Sequence, residues 1–228
     1  MIDPKTLSHI THEIRAPLTA LRGYISLLGE GTFGEITDKS KEVVDKLHLD
    51  VIQTIYRIND FSALLKIEKT DKAELQKKES INLLPFVNEI LGTYKLEEEQ
   101  AVKVKYKVSG DESIQLEIAA LSLKFIISFL LKHAARISEE GSQIEIQIDQ
   151  NDNFYRVSVK DTAKKLEYED PESLFEPFAK TGDTSELGSG LELFNCKTAA
   201  TLIPNSKIGV LPDYNHGNTF YISLPFNN

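Results

Sequence analysis

Leu7, Ile10, Ile14, Leu18, Leu21, Ile25 and Leu28 recur in steps of three and four. That spacing lays one apolar stripe along a helix, and a strand would need steps of two. Pro17 interrupts the pattern, where a missing backbone N–H kinks a helix. Gly29-Glu30-Gly31-Thr32-Phe33-Gly34 then ends it, because glycines this dense stop a helix. Thr37-Asp38-Lys39-Ser40 offers caps for a second helix, striped by Leu47, Val51, Ile55, Ile58, Phe61 and Leu65. Two such helices joined by a short turn make an antiparallel hairpin. One hairpin cannot bury its own stripe. Two copies pairing as a four-helix bundle can, so the pattern predicts a homodimer.

The pattern changes further along. Residues 69–80 are polar and charged and read as a linker with one short strand. Leu84, Phe86, Val87, Ile90 and Leu91 suggest a helix, and residues 118–137 a strongly apolar one. Val102, Val104, Tyr106 and Val108 alternate as in a half-buried strand. So do Ile144, Ile146 and Ile148, and again Tyr155, Val157 and Val159. Asn151-Asp152-Asn153 between the last two runs is hairpin chemistry. Residues 219–224 form a final strand. Helices interleaved with antiparallel strands predict an α+β sandwich, with helices on one face of a sheet. The expected domains are a hairpin over 1–68, a linker over 69–80, and a sandwich over 81–228.

Composition excludes some classes. The formal net charge of -9 comes with no long basic run, which argues against nucleic-acid binding. The one cysteine, Cys196, rules out an intrachain disulfide and sits in an apolar helical context, as a buried structural thiol does. No apolar run reaches the roughly 18 residues of a membrane span, and the N-terminus has no signal-peptide pattern. The expected setting is cytoplasmic, without membrane contact.

At about 100° per residue, His12 points about 160° from the mean direction of the first stripe. It faces solvent beside Glu13. Exposed histidines decorate many helices, so periodicity alone leaves its role open. The run Ser8-His9-Ile10-Thr11-His12-Glu13-Ile14-Arg15-Ala16-Pro17-Leu18-Thr19-Ala20-Leu21 closely resembles the phosphoacceptor box of sensor histidine kinases. The resemblance implies that His12, not His9, accepts the phosphoryl group, with Glu13 as its general base. Chemistry agrees, since neutral imidazole is a good nucleophile and a neighbouring carboxylate can take its proton. Where the family usually has Thr or Asn four residues on, this chain has Ala16, which puts phosphatase action by that route in doubt.

The second half resembles the ATP-binding domain of the same kinases, of the superfamily that includes gyrase and Hsp90. Its anchors are Leu174-Phe175-Glu176-Pro177-Phe178, Gly188-Ser189-Gly190-Leu191-Glu192-Leu193 and Gly217-Asn218-Thr219-Phe220. The resemblance implies ATP and magnesium as cofactors, with Asp161 on the adenine amine and Gly188 and Gly190 at the phosphates. Asp161 could equally be a turn former at a strand end. Lys180 could reach a phosphate. Several family positions are altered. Glycines expected after the aspartate are Ala163 and Lys165. In the asparagine box the first asparagine is Phe129, and the magnesium ligand is His133, whose imidazole suits that hard cation poorly. The third glycine of the Gly188 motif is Glu192, a carboxylate expected to occupy or repel the phosphate position. Together these changes predict weak or absent ATP binding.

Three functions fit. His12 could exchange phosphate with a response-regulator receiver domain. The chain could be an autokinase with an atypical site. It could be a catalytically dead scaffold regulating a kinase or response regulator.

Overall fold

A computed structural model describes residues 4–97, 103–150, 153–166, 168, 170–179, 189–211 and 217–226. The chain divides into two compact units, residues 1–69 and 70–228.

The first unit is a helical hairpin of α1 (Pro4–Gly29) and α2 (Asp38–Lys69). Helix α1 runs through Pro17, which leaves the Glu13 carbonyl without its usual N–H donor. Thr37 Oγ1 accepts from Ser40 N at 3.2 Å and caps the start of α2. Ile25, Val51 and Ile55 form the hairpin's buried centre, with Leu18 and Val44 against it. Part of the stripe is uncovered within one chain: Ile10, Ile14, Leu21, Leu28 and Leu47 all remain exposed.

The second unit holds α3 (Lys72–Leu75), β1 (Lys78–Asn82), α4 (Leu83–Glu97), β2 (Lys105–Ser109), β3 (Gln115–Ala119) and α5 (Ala120–Ile137). It continues with β4 (Gln143–Gln150), β5 (Phe154–Lys160), a 3₁₀ turn (Pro171–Phe175), α6 (Glu192–Ala200), β6 (Lys207–Leu211) and β7 (Thr219–Pro225). Five strands form one sheet in the order β2-β4-β5-β7-β6, and β1 pairs with β3 separately. Ile144, Ile146, Ile148, Val157, Val159, Phe220 and Ile222 are buried. Alternation puts them on the sheet face that the helices cover. Leu123, Ile126, Ile127, Leu130 and Leu131 of α5 complete the core. Cys196 is buried there too, its Sγ 3.7 Å from the Ile126 carbonyl oxygen.

The structure differs from expectation in four places. Strand β2 runs parallel to β4, so the sheet is mixed rather than wholly antiparallel. The apolar run at 118 opens with a strand: Leu116 and Ile118 of β3 are buried alternately, and α5 starts at Ala120. Strand β6 was not anticipated, because its short sequence contains Gly209, which packs no side chain of its own. Residues 69–80 are no free linker. Leu75 is buried, its carbonyl accepts from Ser122 Oγ at 2.7 Å, and β1 pairs with β3.

Candidate functional site

His12 and Glu13 lie side by side on α1, both exposed. The neighbouring residues hold this turn in place. Thr11 is buried, its hydroxyl donating to the Ser8 carbonyl at 2.8 Å. Arg15 crosses to α2, where its Nε donates to Asn59 Oδ1 at 2.9 Å and its Nη2 lies 3.4 Å from Ser62 Oγ. The imidazole therefore stands in solvent on a backbone tied to the second helix. Ala16 adds only a methyl group on the exposed side.

In the second unit, Asp161 follows β5 and is fully buried. Its Oδ1 accepts three hydrogen bonds, from Ala163 N at 2.9 Å and from both nitrogens of Asn218 at 3.0 Å. Its Oδ2 is buried with no partner. Burial pushes the carboxyl up to about 6, against the pull of the Ala163 and Asn218 donors. Asn218 also accepts from Leu166 N at 2.8 Å, so it clamps the segment after β5. Gly217 precedes it at φ +85°, where a Cβ would strike the Asp161 carbonyl oxygen. Ala163 fits in place of a glycine because only its backbone is used: N–H to Asp161, carbonyl from Gly217 N at 3.0 Å. Lys165 is exposed.

His133 on α5 is buried, with its ring edge-on to Phe220 at 4.9 Å. Burial lowers its pKa to about 4, so it is neutral at pH 7, and its Nε2 has no hydrogen-bond partner. Phe129, one turn earlier, is buried and stacks on Phe125.

Glu192 is the first residue of α6, and its carboxylate is paired rather than free. Its Oε1 accepts from Arg136 Nη1 at 2.6 Å and from Ser189 N at 3.0 Å, and its Oε2 accepts from Ser189 Oγ at 2.8 Å. The Arg136 and Glu192 side chains are each 2% exposed. Burial alone would raise the carboxyl, but the guanidinium beside it holds it below the usual range. Gly190 adopts φ +74°, and a Cβ there would meet Phe178 Cα at 2.9 Å. Phe178 N donates to the Gly190 carbonyl at 2.7 Å. Its glycine thus serves close backbone packing. Lys180 and Gly188 lie outside the described residues.

The sequence reading gave no role to Arg136, Ser189 or Asn218. Two signals were available. Arg136 lies three residues from His133 on one helix face, and Ser189-x-x-Glu192 is a capping-box pattern.

Two family models match the chain. One describes the His Kinase A (phospho-acceptor) domain, over residues 5–70. The other describes the histidine kinase-, DNA gyrase B- and HSP90-like ATPase, over residues 118–228. Together the two models show that the chain is built as a histidine kinase core. The alginate biosynthesis sensor protein KinB of Pseudomonas aeruginosa is 26% identical over 217 residues, covering 94% of this chain and 36% of that protein. The sensor histidine kinase WalK of Bacillus subtilis is 26% identical over 195 residues, covering 82% of this chain and 31% of its own. The chain thus spans about a third of the length of these relatives. Among solved structures, full-length ShkA in complex with AMPPNP matches all of this chain and 47% of its own, with a TM-score of 0.60 at 19% identity. The Acinetobacter baumannii histidine kinase AdeS matches 95% and 98%, with a TM-score of 0.57 at 19% identity.

The ATPase domain of this family implies ATP with a divalent metal, and the residues here fit the two ends of that ligand differently. Asp161 Oδ2, buried and unpartnered, suits the amino edge of a base. His133, where the resemblance implies a magnesium ligand, offers a buried imidazole packed on Phe220. No group of three or more His, Cys, Asp or Glu able to hold a metal occurs among the described residues. No described helix is long and apolar enough to cross a membrane.

Proposed function

We propose that this histidine kinase core works mainly as a phosphotransfer module. His12 exchanges a phosphoryl group with the aspartate of a response-regulator receiver domain. An imidazole nitrogen of His12 attacks phosphorus, the P–N bond forms, and the aspartyl P–O bond breaks to release the receiver carboxylate. Glu13 takes the imidazole proton. The observation that carries this reading is the exposed His12–Glu13 pair on a turn that Arg15 ties to α2. The hairpin pairs with a second copy through Ile10, Ile14, Leu21, Leu28 and Leu47, whose exposure in one chain a four-helix bundle would end. Autophosphorylation from magnesium-ATP is slow or absent on this reading, because the metal end of the site does not fit.

An active autokinase is the second reading, favoured by the unpartnered Asp161 Oδ2. Labelled phosphate supplied on a receiver domain should appear on the wild type and not on His12→Gln. Label arriving from γ-labelled ATP at a comparable rate would favour the autokinase. No label by either route would leave the scaffold function.

A further inference from the structure

The five-stranded sheet has a second face, opposite the one that the helices cover. Alternation puts Arg156, Ser158 and Lys160 of β5 on it, because Val157 and Val159 between them are buried in the core. Register sets Gln147 and Asp149 of β4, Tyr221 and Ser223 of β7, and Lys207 of β6 alongside. The face is basic. It carries Lys105, Lys107, Arg156, Lys160 and Lys207 against Glu145 and Asp149, on a chain whose formal net charge is -9.

Arg156 stands near the centre of this face. Its guanidinium lies 4.5 Å from the centre of the Tyr221 ring and 5.3 Å from that of Phe154. Asp149 is its direct cross-strand neighbour and the carboxylate placed to neutralise it. That carboxylate instead accepts from Gln147 Nε2 at 2.7 Å, and Arg156 makes no ion pair among the described residues. Arg156 Nε is buried without an acceptor. Ser158, the next outward position, is 6% exposed, and its hydroxyl also has no partner. Donors already withdrawn from water gain from an acceptor that reaches them. Lys207 lies in the same row beyond Ser223, about 10 Å away at the spacing of two strands, and is exposed.

We propose that this face docks an acidic segment of a partner protein, with one carboxylate on Arg156 beside Ser158 and a second on Lys207. The use of the rings favours a polypeptide over a single-stranded nucleic acid. Phe154 and Tyr221 could stack bases, but the Arg156 guanidinium already lies against both. Glu145 and Asp149 would repel an unbroken phosphate backbone, whereas separate carboxylates settle on the cations between them. A guanidinium stacked on rings holds its N–H edge in a fixed plane, which suits a carboxylate. The inference is independent of phosphotransfer at His12.

Fluorescence anisotropy of the full chain with a labelled hexaglutamate peptide tests the proposal, beside hexaglutamine and an oligouridylate of similar length. Extended, such a peptide spans about 20 Å and reaches both cations. Hexaglutamate should bind saturably and hexaglutamine should not. Raising salt from about 50 to about 300 mM should weaken binding at least about tenfold. Arg156→Gln and Lys207→Glu, each checked for folding by circular dichroism, should each weaken it about fivefold or more. Lys39→Glu, on the exposed side of the hairpin, should leave it unchanged. Absence of saturable hexaglutamate binding overturns the proposal, as does wild-type affinity in a folded Lys207→Glu or an equal loss in Lys39→Glu. Tighter binding of oligouridylate than of hexaglutamate overturns it in favour of a nucleic acid.

Discussion

Replacing Arg136 with methionine removes the guanidinium that Glu192 Oε1 touches at 2.6 Å. At that separation the attraction is roughly 6 kcal/mol for an effective dielectric near 20. Water cannot replace it, because both side chains are 2% exposed. The two Ser189 donors remain and offset part of the loss. The expected cost is about 3–5 kcal/mol, the usual penalty for leaving one partner of a buried pair charged and alone. Urea titration of the full chain measures it, with amide exchange followed in α5 and α6 so that melting of the hairpin does not enter. The double variant Arg136→Met/Glu192→Leu should regain most of the loss, because it removes both charges. The pH dependence changes sign as well. In wild type the Glu192 pKa is depressed, so its contribution is present above the unfolded value and is lost as pH falls. Without Arg136, burial raises that pKa, and the variant loses stability as pH rises. A single-variant cost below about 1 kcal/mol, typical of exposed pairs, would refute the reasoning. A double variant costing the sum of the two singles would refute it equally.

Glu13→Gln should slow phosphoryl exchange at His12 by roughly 10²–10⁴-fold without changing the hairpin's helicity, measured as label transfer from a receiver domain beside circular dichroism. His133 has a folded pKa near 4 against 6.5, so the folded state holds fewer protons. Its contribution is complete above about pH 6.5 and lost as pH falls toward 4, and His133→Leu should flatten that part of the stability profile. Asp161 acts oppositely: its folded pKa is raised to about 6 from 3.8. Its contribution is complete below about 3.8 and lost as pH rises through 6, so Asp161→Asn should gain on wild type in urea midpoint over that window. Leu21→Glu should prevent the proposed homodimer from forming, read by light scattering, because it puts a charge in the proposed bundle interface; a dimer of unchanged mass would count against that interface.

Much of the architecture was legible in local patterns. Helical spacing identified α1 and α2, and period-two alternation identified β4, β5 and β7, because side-chain periodicity follows directly from backbone geometry. The box around His12 marked a residue whose neighbours in sequence are also its neighbours in space. Parallel pairing of β2 with β4 was not legible, since alternation along one strand says nothing about the direction of the next. Strand β3 was hidden because its apolar alternation runs straight into the apolar face of α5.

The sequence by itself placed Glu192 and His133 inside two motifs whose resemblance to the family implies a glycine at the first position and a metal ligand at the second. What those side chains do was decided in three dimensions. Glu192 meets Arg136 across 56 positions of chain, and Asn218 meets Asp161 across 57. A charge read in sequence has no partner until the fold supplies one. Burial then makes the difference between a paired and an unpaired carboxylate worth several kcal/mol. The same burial leaves one oxygen of Asp161 satisfied and the other open.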